Sequence, residues 1–311
     1  MGFDNNHFGG LVNQGKVRQI MEYLSQTPEE AEFLQDYVRI YEKEDYPPLG
    51  KEEGLEDILL CYQKYYREVF YLEEPEPECR ERLRLRLLEQ LPHASRELDI
   101  YALEDGPLQE LLTEKGLFIK TGPIGGYMSP FIWKKSEPKT YHVELPEGVQ
   151  ECSFLFAEVF IFLGWWWYLS MTLHRAGAWV GNDGIITCDW RSYDLSSEDF
   201  NISMLKHEAQ HVMDLRRWPN ISDVGLEYRA FLLDLIYYES ENRLHRFDAE
   251  ASMDDPDNEY AVAAYLICER FANHFQTDDF DSISIPQIQE YAGQLFREST
   301  EECVEAFRQC I

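Results

Sequence analysis

The chain has 311 residues, enough for one large domain or two ordinary ones, and 44% apolar with 14% aromatic residues is enough to bury a sizeable core. Its 58 acidic residues face 28 basic ones, a formal net charge of −30. That excess repels a phosphate backbone and an anionic membrane surface, so nucleic-acid binding and membrane docking are not expected, and it leaves either a plain solvated surface or one that attracts a basic partner or substrate.

The start, Met1 to His7, lacks a basic region followed by an apolar core, and Asn6 stands where a myristoylation signal needs Ser or Thr, so neither a secretory signal nor that lipid anchor is expected. Thr27-Pro28-Glu29-Glu30 reads as a helix start with Thr27 as cap. Phe33, Leu34, Tyr37, Val38 and Tyr41 follow at the helical period. Another helix is expected over Leu55–Phe70, a break at the acidic stretch Glu73–Glu78, and a charged helix over Cys79–Leu91. The texture changes near Asp105. Gly116–Lys120, Thr140–Leu145 and Cys152–Ala157 read as strands, the last two separated by Pro146-Glu147-Gly148.

The longest uncharged run, Val159 to His174, is too short to span a bilayer and reads as a buried element. Within it, Trp165-Trp166-Trp167 reads as core with one ring near the surface. Ala178–Val180 and Ile185–Cys188 flank Gly181-Asn182-Asp183-Gly184, a hairpin whose Asp-Gly pair supplies positive φ angles. From about Ser203 the chain is helical, with Ser299-Thr300-Glu301-Glu302 as a capping box that opens a final helix.

The expected class is therefore α+β: mainly helical, with a small antiparallel sheet. The expected organisation is a helical N-terminal region, 1–105, followed by a second domain, 106–311. In that domain a sheet lies within 116–190, helices lie within 202–246, and the C-terminus is helical. The seven cysteines are scattered, odd in number and without a C-x-x-C pair, so they read as reduced thiols of a cytoplasmic protein.

The chemistry concentrates in Lys206-His207-Glu208-Ala209-Gln210-His211-Val212, inside a segment, Ile202 to Leu215, free of Pro and Gly. Residues four apart share a helix face, so His207 and His211 can both reach one ion, and Glu208 can approach a water beside that ion without being a ligand. A chance match to H-E-x-x-H in a chain this long is on the order of one per cent. The uncharged neighbours Met204, Leu205, Ala209, Gln210, Val212 and Met213 suit a helix buried against a sheet.

A catalytic zinc takes three protein ligands and keeps one position open. The third is expected from a helix starting near Asp223 and running to about Arg246. Glu227 lies early in it, sixteen residues after His211, and Ala230 allows close approach on the same side. Asp214 is the competitor for third ligand. It shares the histidine face, but three ligands on one rigid helix close poorly around an ion, and a supporting role towards a His tautomer or a plain surface position suits it better. His7, His93, His142 and His274 have no partners at ligand spacing.

His207-Glu208-Ala209-Gln210-His211 followed by Glu227-Tyr228-Arg229-Ala230 resembles the gluzincin metallopeptidases, whose second helix often carries Glu-x-x-Ala. The resemblance covers roughly 177–238. It implies a zincin-like fold, one Zn2+, hydrolysis of a peptide or protein substrate, and an upstream edge strand for the substrate, for which Ile185–Cys188 stands in the right place. The sequence departs from the pattern at Phe231, where many relatives carry Asp, which leaves Asp214 or Asp234 to support a zinc-binding His. The expected activity is hydrolysis with Glu208 as general base. Tyr193, Tyr228, Tyr237, Tyr238, His174 and His245 are all open as donors to the oxyanion. Two competing readings are a zinc-binding regulatory protein with little catalysis and an acidic interaction module in which the motif is accidental.

Overall fold

The structure, a computed structural model, describes residues 2–49, 54–174, 177–180, 184–253 and 258–309. In chain order its helices and strands are α1 (Asn5–Asn13), α2 (Val17–Ser25), α3 (Ala31–Tyr37), α4 (Leu55–Tyr66), α5 (Glu76–Gln90), α6 (Ile100–Leu103), α7 (Gln109–Glu114), β1 (Phe118–Lys120), β2 (Pro123–Ile124), β3 (Tyr127–Met128), β4 (Phe131–Leu145), β5 (Gly148–Leu163), α8 (Gly164–Leu169), β6 (Ala178–Val180), β7 (Ile185–Cys188), α9 (His207–Arg217), α10 (Asp223–Tyr237), α11 (Leu244–Glu250), α12 (Glu259–Phe275) and α13 (Ile285–Gln309). The chain is mainly helical, as the α+β reading requires. No described helix is long and apolar enough to cross a membrane.

Packing divides the chain into two compact units, one of residues 1–136 and 157–176, the other of 137–156 and 177–311. The change of texture at Asp105 marks where helices give way to strands along the chain, whereas the units follow tertiary contact, and β4 and β5 contribute residues to both.

The first unit is held by an aromatic core. Tyr37, Tyr41, Tyr62, Tyr65 and Tyr66 are fully buried; a buried phenol usually finds a partner for its hydroxyl, and all but Tyr41 do so among the described residues. Tyr65 donates to Glu76 (2.8 Å), Tyr66 to the Met128 carbonyl (3.1 Å), Tyr62 to Glu104 and Tyr37 to the Leu169 carbonyl. α3 and α4 each continue into a short π-helical stretch, Val38–Glu42 and Arg67–Tyr71. Thr27 does not cap a helix: it precedes a 3-10 turn, and its hydroxyl donates back to the Tyr23 carbonyl at 3.1 Å. The tryptophan triplet lies in α8 with Trp165 buried in the core and both neighbours, not one ring as expected, partly exposed.

The sheet has the order β1-β4-β5-β7-β6. β6 pairs antiparallel with β7, in the hairpin register Ala178 with Cys188 and Val180 with Ile186, while residues 181–183, which the sequence reading placed in its turn, lie outside the described residues. β7 pairs parallel with β5, Ser153 opposite Ile185 and Phe156 opposite Cys188. The sheet is therefore mixed, not antiparallel as expected. A parallel pair needs a crossover of a dozen residues or more, and the segment between β5 and β7, carrying α8 and β6, supplies it. β7 is thus an interior strand, and the edge is β6, not Ile185–Cys188.

Three helical boundaries differ from expectation. The motif helix is preceded by a π-helix, Asp199–Lys206, so the amide of His207 donates five residues back to Ile202. The helix after it stops at Tyr237, because the amides of Glu239 and Ser240 turn to the Glu198 carboxylate (3.3 and 3.2 Å). Ser299 and Thr300 open no helix. They sit inside the continuous α13, their hydroxyls donating back to the Phe296 carbonyl at 2.8 and 3.0 Å.

Gly164, directly after β5, opens α8 in the first unit with φ +80°, and a Cβ there would stand 2.4 Å from Ser129 Oγ. Gly164→Ala is expected to destabilise the protein by about 1–3 kcal/mol, seen as an earlier denaturant transition in tryptophan fluorescence, with little change in far-ultraviolet circular dichroism.

Candidate metal centre

All the pieces of this site belong to the second unit. α9 packs beside the edge strand β6 and against α10, and α10 packs in turn against α12 and α13. Ser222 starts α10 by accepting the Gly225 amide at 3.1 Å, which ends the short connection from α9 and brings the first turns of α10 back along it.

The result joins the three residues singled out in the sequence. His207, His211 and Glu227 each offer a ligand atom within 4.8 Å of the others. Glu227 lies between the imidazoles, with Oε2 at 3.2 Å from His207 Nε2 and Oε1 at 3.2 Å from His211 Nε2. The three residues are 9, 8 and 7% exposed. Oε2 is buried and makes no well-directed hydrogen bond among the described residues.

An orphaned buried carboxylate oxygen facing imidazole nitrogens is costly in a protein interior. The same atoms suit a cation. Bonds of about 2.0–2.2 Å to a tetrahedral ion set neighbouring ligand atoms about 3.3–3.5 Å apart, near the two carboxylate–imidazole distances of 3.2 Å, while the three ligand atoms lie within 4.8 Å of one another. The buried group can therefore hold a metal ion.

Electrostatics point the same way. Burial alone would raise the Glu227 carboxyl, but hydrogen-bond and charge interactions with both histidines outweigh it and bring its pKa down to about 2. Burial works against the His207 imidazolium, yet Glu227 first, then Glu208 and Asp234, lift it to about 9. The metal-free site concentrates negative charge and compensates for it with a proton on His207.

Glu208 follows His207 and is only half-buried. Its charge reaches the thiols of Cys152 and Cys188, both pushed up to about 12, mainly by burial.

Asp214 is neither a ligand nor a His partner nor a surface acid. It is fully buried, and its oxygens accept from Gln210 Nε2 and Arg229 Nε, both at 2.8 Å. Asp234 stands closer to the supporting role. It accepts from Ser203 Oγ at 2.8 Å, its other oxygen is buried without a partner, and its charge couples to that of His207. Phe231, standing where the pattern carries a carboxylate, packs instead against the His207 ring at 5.8 Å.

The oxyanion candidates separate. Tyr238 donates to Asp199, His245 pairs with Asp281 at the exposed surface, Tyr237 lies under the Lys206 ammonium at 4.2 Å, and His174 packs on Phe8 in the first unit. The charges acting on Tyr228 are those of Arg270, Glu302 and Glu298, not the motif acids. Tyr193 does feel Glu208, and its hydroxyl sits so close to Gly177 that a Cβ there would be 2.1 Å away.

The sequence reading missed Tyr260. It opens α12, is half-exposed, and its ring stands 6.2 Å from Phe231, which backs His207. Desolvation of its hydroxyl, then the charges of Glu227 and Glu208, raise its pKa, so it remains a donor. Asn258 caps this helix by accepting the Ala261 amide, a signal visible in sequence; that its first turn packs against Phe231 beside His207 is not.

Compared with known proteins, the chain matches no family model, no curated protein and no solved structure.

A metal ligand must be a neutral imidazole, so the proton on His207 competes with the ion. Because its pKa in the metal-free protein is about 9, apparent zinc affinity should keep rising by about tenfold per pH unit from neutrality to about 9. Chelator-competition titrations across that range would show it; a plateau already reached at neutral pH would contradict the raised pKa.

Proposed function

We propose that the chain is a zinc-dependent hydrolase, a peptidase of gluzincin type, with His207, His211 and Glu227 as ligands to one Zn2+ and Glu208 as general base. The observation that carries this reading is the convergence of two imidazoles and one carboxylate in a buried group, each carboxylate oxygen 3.2 Å from a ring nitrogen, with a second, more accessible carboxylate next to the first His. When bound, the ion supplies Lewis acidity, which makes water a stronger acid and a carbonyl carbon a better electrophile. Zinc is favoured over harder cations by the two nitrogen donors.

The chain's own residues do the rest. Glu208 is free to approach the reacting water because Glu227, not Glu208, occupies the space between the imidazoles. It takes the proton from that water and returns it to the leaving amine. Tyr260 donates a hydrogen bond to the substrate's carbonyl oxygen as negative charge builds there. β6, the strand at the sheet edge beside α9, offers its backbone to an extended peptide, which adds as a further strand. The excess of acidic residues favours neutral or basic peptides over acidic ones. The described cysteines, all free, suit a reducing, cytoplasmic setting.

Glu208→Gln should retain one zinc per chain by elemental analysis and lower peptide hydrolysis by about 10²–10⁴-fold. Turnover that survived this change would remove Glu208 from the mechanism, and a wild-type protein without affinity for zinc would remove the enzyme reading altogether.

Tyr260→Phe should lower kcat by about 10²-fold with little effect on KM. Tyr193→Phe serves as the comparison: a larger loss there would transfer the donor role to Tyr193.

A further inference from the structure

We propose that Arg229 is a positioning residue for the metal centre, fixing α9 against α10 and thereby the separation of Glu227 from His207 and His211. This rests on the metal-centre reading above. The guanidinium is 1% exposed and is engaged along its whole fork. Nε donates to Asp214 Oδ2 at 2.8 Å, Nη1 to Ser299 Oγ and Thr300 Oγ1 at 2.8 and 2.9 Å, and Nη2 to Glu147 Oε2 at 2.7 Å. Its faces lie against Trp218 and Phe296, 5.0 and 4.3 Å from the ring centroids. One side chain thus ties together α9, α10, α13 and the turn between β4 and β5.

The placement of these contacts matters more than their number. Glu227 and Arg229 are two residues apart on α10, and both end on α9. Glu227 meets His207 and His211, while Arg229 meets Asp214, three residues beyond His211. A helix touched at one point can slide and roll; touched at two points along its length it can do neither. Gln210, which directly precedes the second ligand, is joined to the same clamp through Asp214 at 2.8 Å. The charges are nearly balanced within it. Asp214 and Glu147 are the anions, Arg229 bridges them, and Arg217 takes the other oxygen of Glu147 at 3.0 Å.

A metal site needs its ligands held to within about half an ångström, and nothing in the ligand set itself fixes the distance between two helices. Lys at 229 would keep the positive charge and lose the fork, so it could not bind four groups in a plane. The clamp would then loosen without leaving two anions wholly uncompensated.

The test is Arg229→Lys in the full chain, using Co2+ and Zn2+ as probes. Circular dichroism and thermal melting of the metal-free protein report folding, the visible absorption of bound Co2+ reports ligand geometry, and chelator competition gives zinc affinity. A folded variant with a shifted cobalt spectrum and zinc affinity lowered by about 10–100-fold supports the proposal. A folded variant with the wild-type spectrum and affinity overturns it, whatever its melting temperature, because a purely structural role would move only the melt. Should Arg229→Lys fail to fold, Glu147→Gln and Ser299→Ala, each removing one outer contact, carry the same test. A smaller spectral change in the same direction supports the clamp, and an unaltered spectrum in both overturns it. Wild-type protein that takes up neither ion would overturn the metal-centre reading, and this proposal with it.

Discussion

A single carboxylate, Glu227, sits between two imidazole nitrogens at 3.2 Å from each, in a largely buried position. Everything of chemical interest in the second unit depends on that approach. It requires two helices from one stretch of chain, α9 and α10, to return along each other at a fixed register, and it brings an orphaned oxygen and a protonated imidazole into the interior. Such a group is expensive without a cation and well matched to one.

The interior around the site is built to withstand that cost. Breaking a buried ion pair by removing one partner typically costs about 3–5 kcal/mol, which is why the Arg229–Asp214 pair resists change, with Gln210, Ser299, Thr300 and Glu147 filling its remaining hydrogen bonds. On the other side of the ligands, Arg243 donates to Ser203 at 2.9 Å, and Ser203 donates to Asp234, whose charge reaches His207. Both chains of contact pass through residues that stand near the motif helix, so polar burial and ligand placement are parts of one arrangement. The π-helical lead-in adds to it. It changes the hydrogen-bond register just before His207, and such departures from α geometry recur at functional sites.

The first unit solves a different problem. Its core is rich in tyrosine, and its helices are short or interrupted, so stability comes from aromatic area combined with hydroxyls that reach carbonyls and carboxylates across the core. Glu104, 1% exposed and bonded to Tyr62, has its carboxyl raised by burial to about 8. The core thereby avoids a full buried charge at neutral pH.

How much was legible beforehand follows from the range of the forces involved. The sequence by itself determined the α+β class, the pairing of His207 with His211 on one helix face with Glu227 as their candidate partner, and most helices and strands, because spacing on one helix, capping chemistry and hydrophobic period are local properties of the chain. Tertiary structure alone decided that β7 is interior and parallel to β5, so that β6, not β7, lies at the sheet edge. It also turned Ser299 and Thr300 from a helix start into partners of Arg229, drew Asp214 away from the histidines, and set Tyr260 against Phe231, which backs His207. In each case the deciding neighbour is distant along the chain. A hydroxyl or carboxylate near its own backbone reads the same in sequence whether it caps that backbone or crosses the core to a guanidinium, and only the packing of helices and strands settles which partner is in reach.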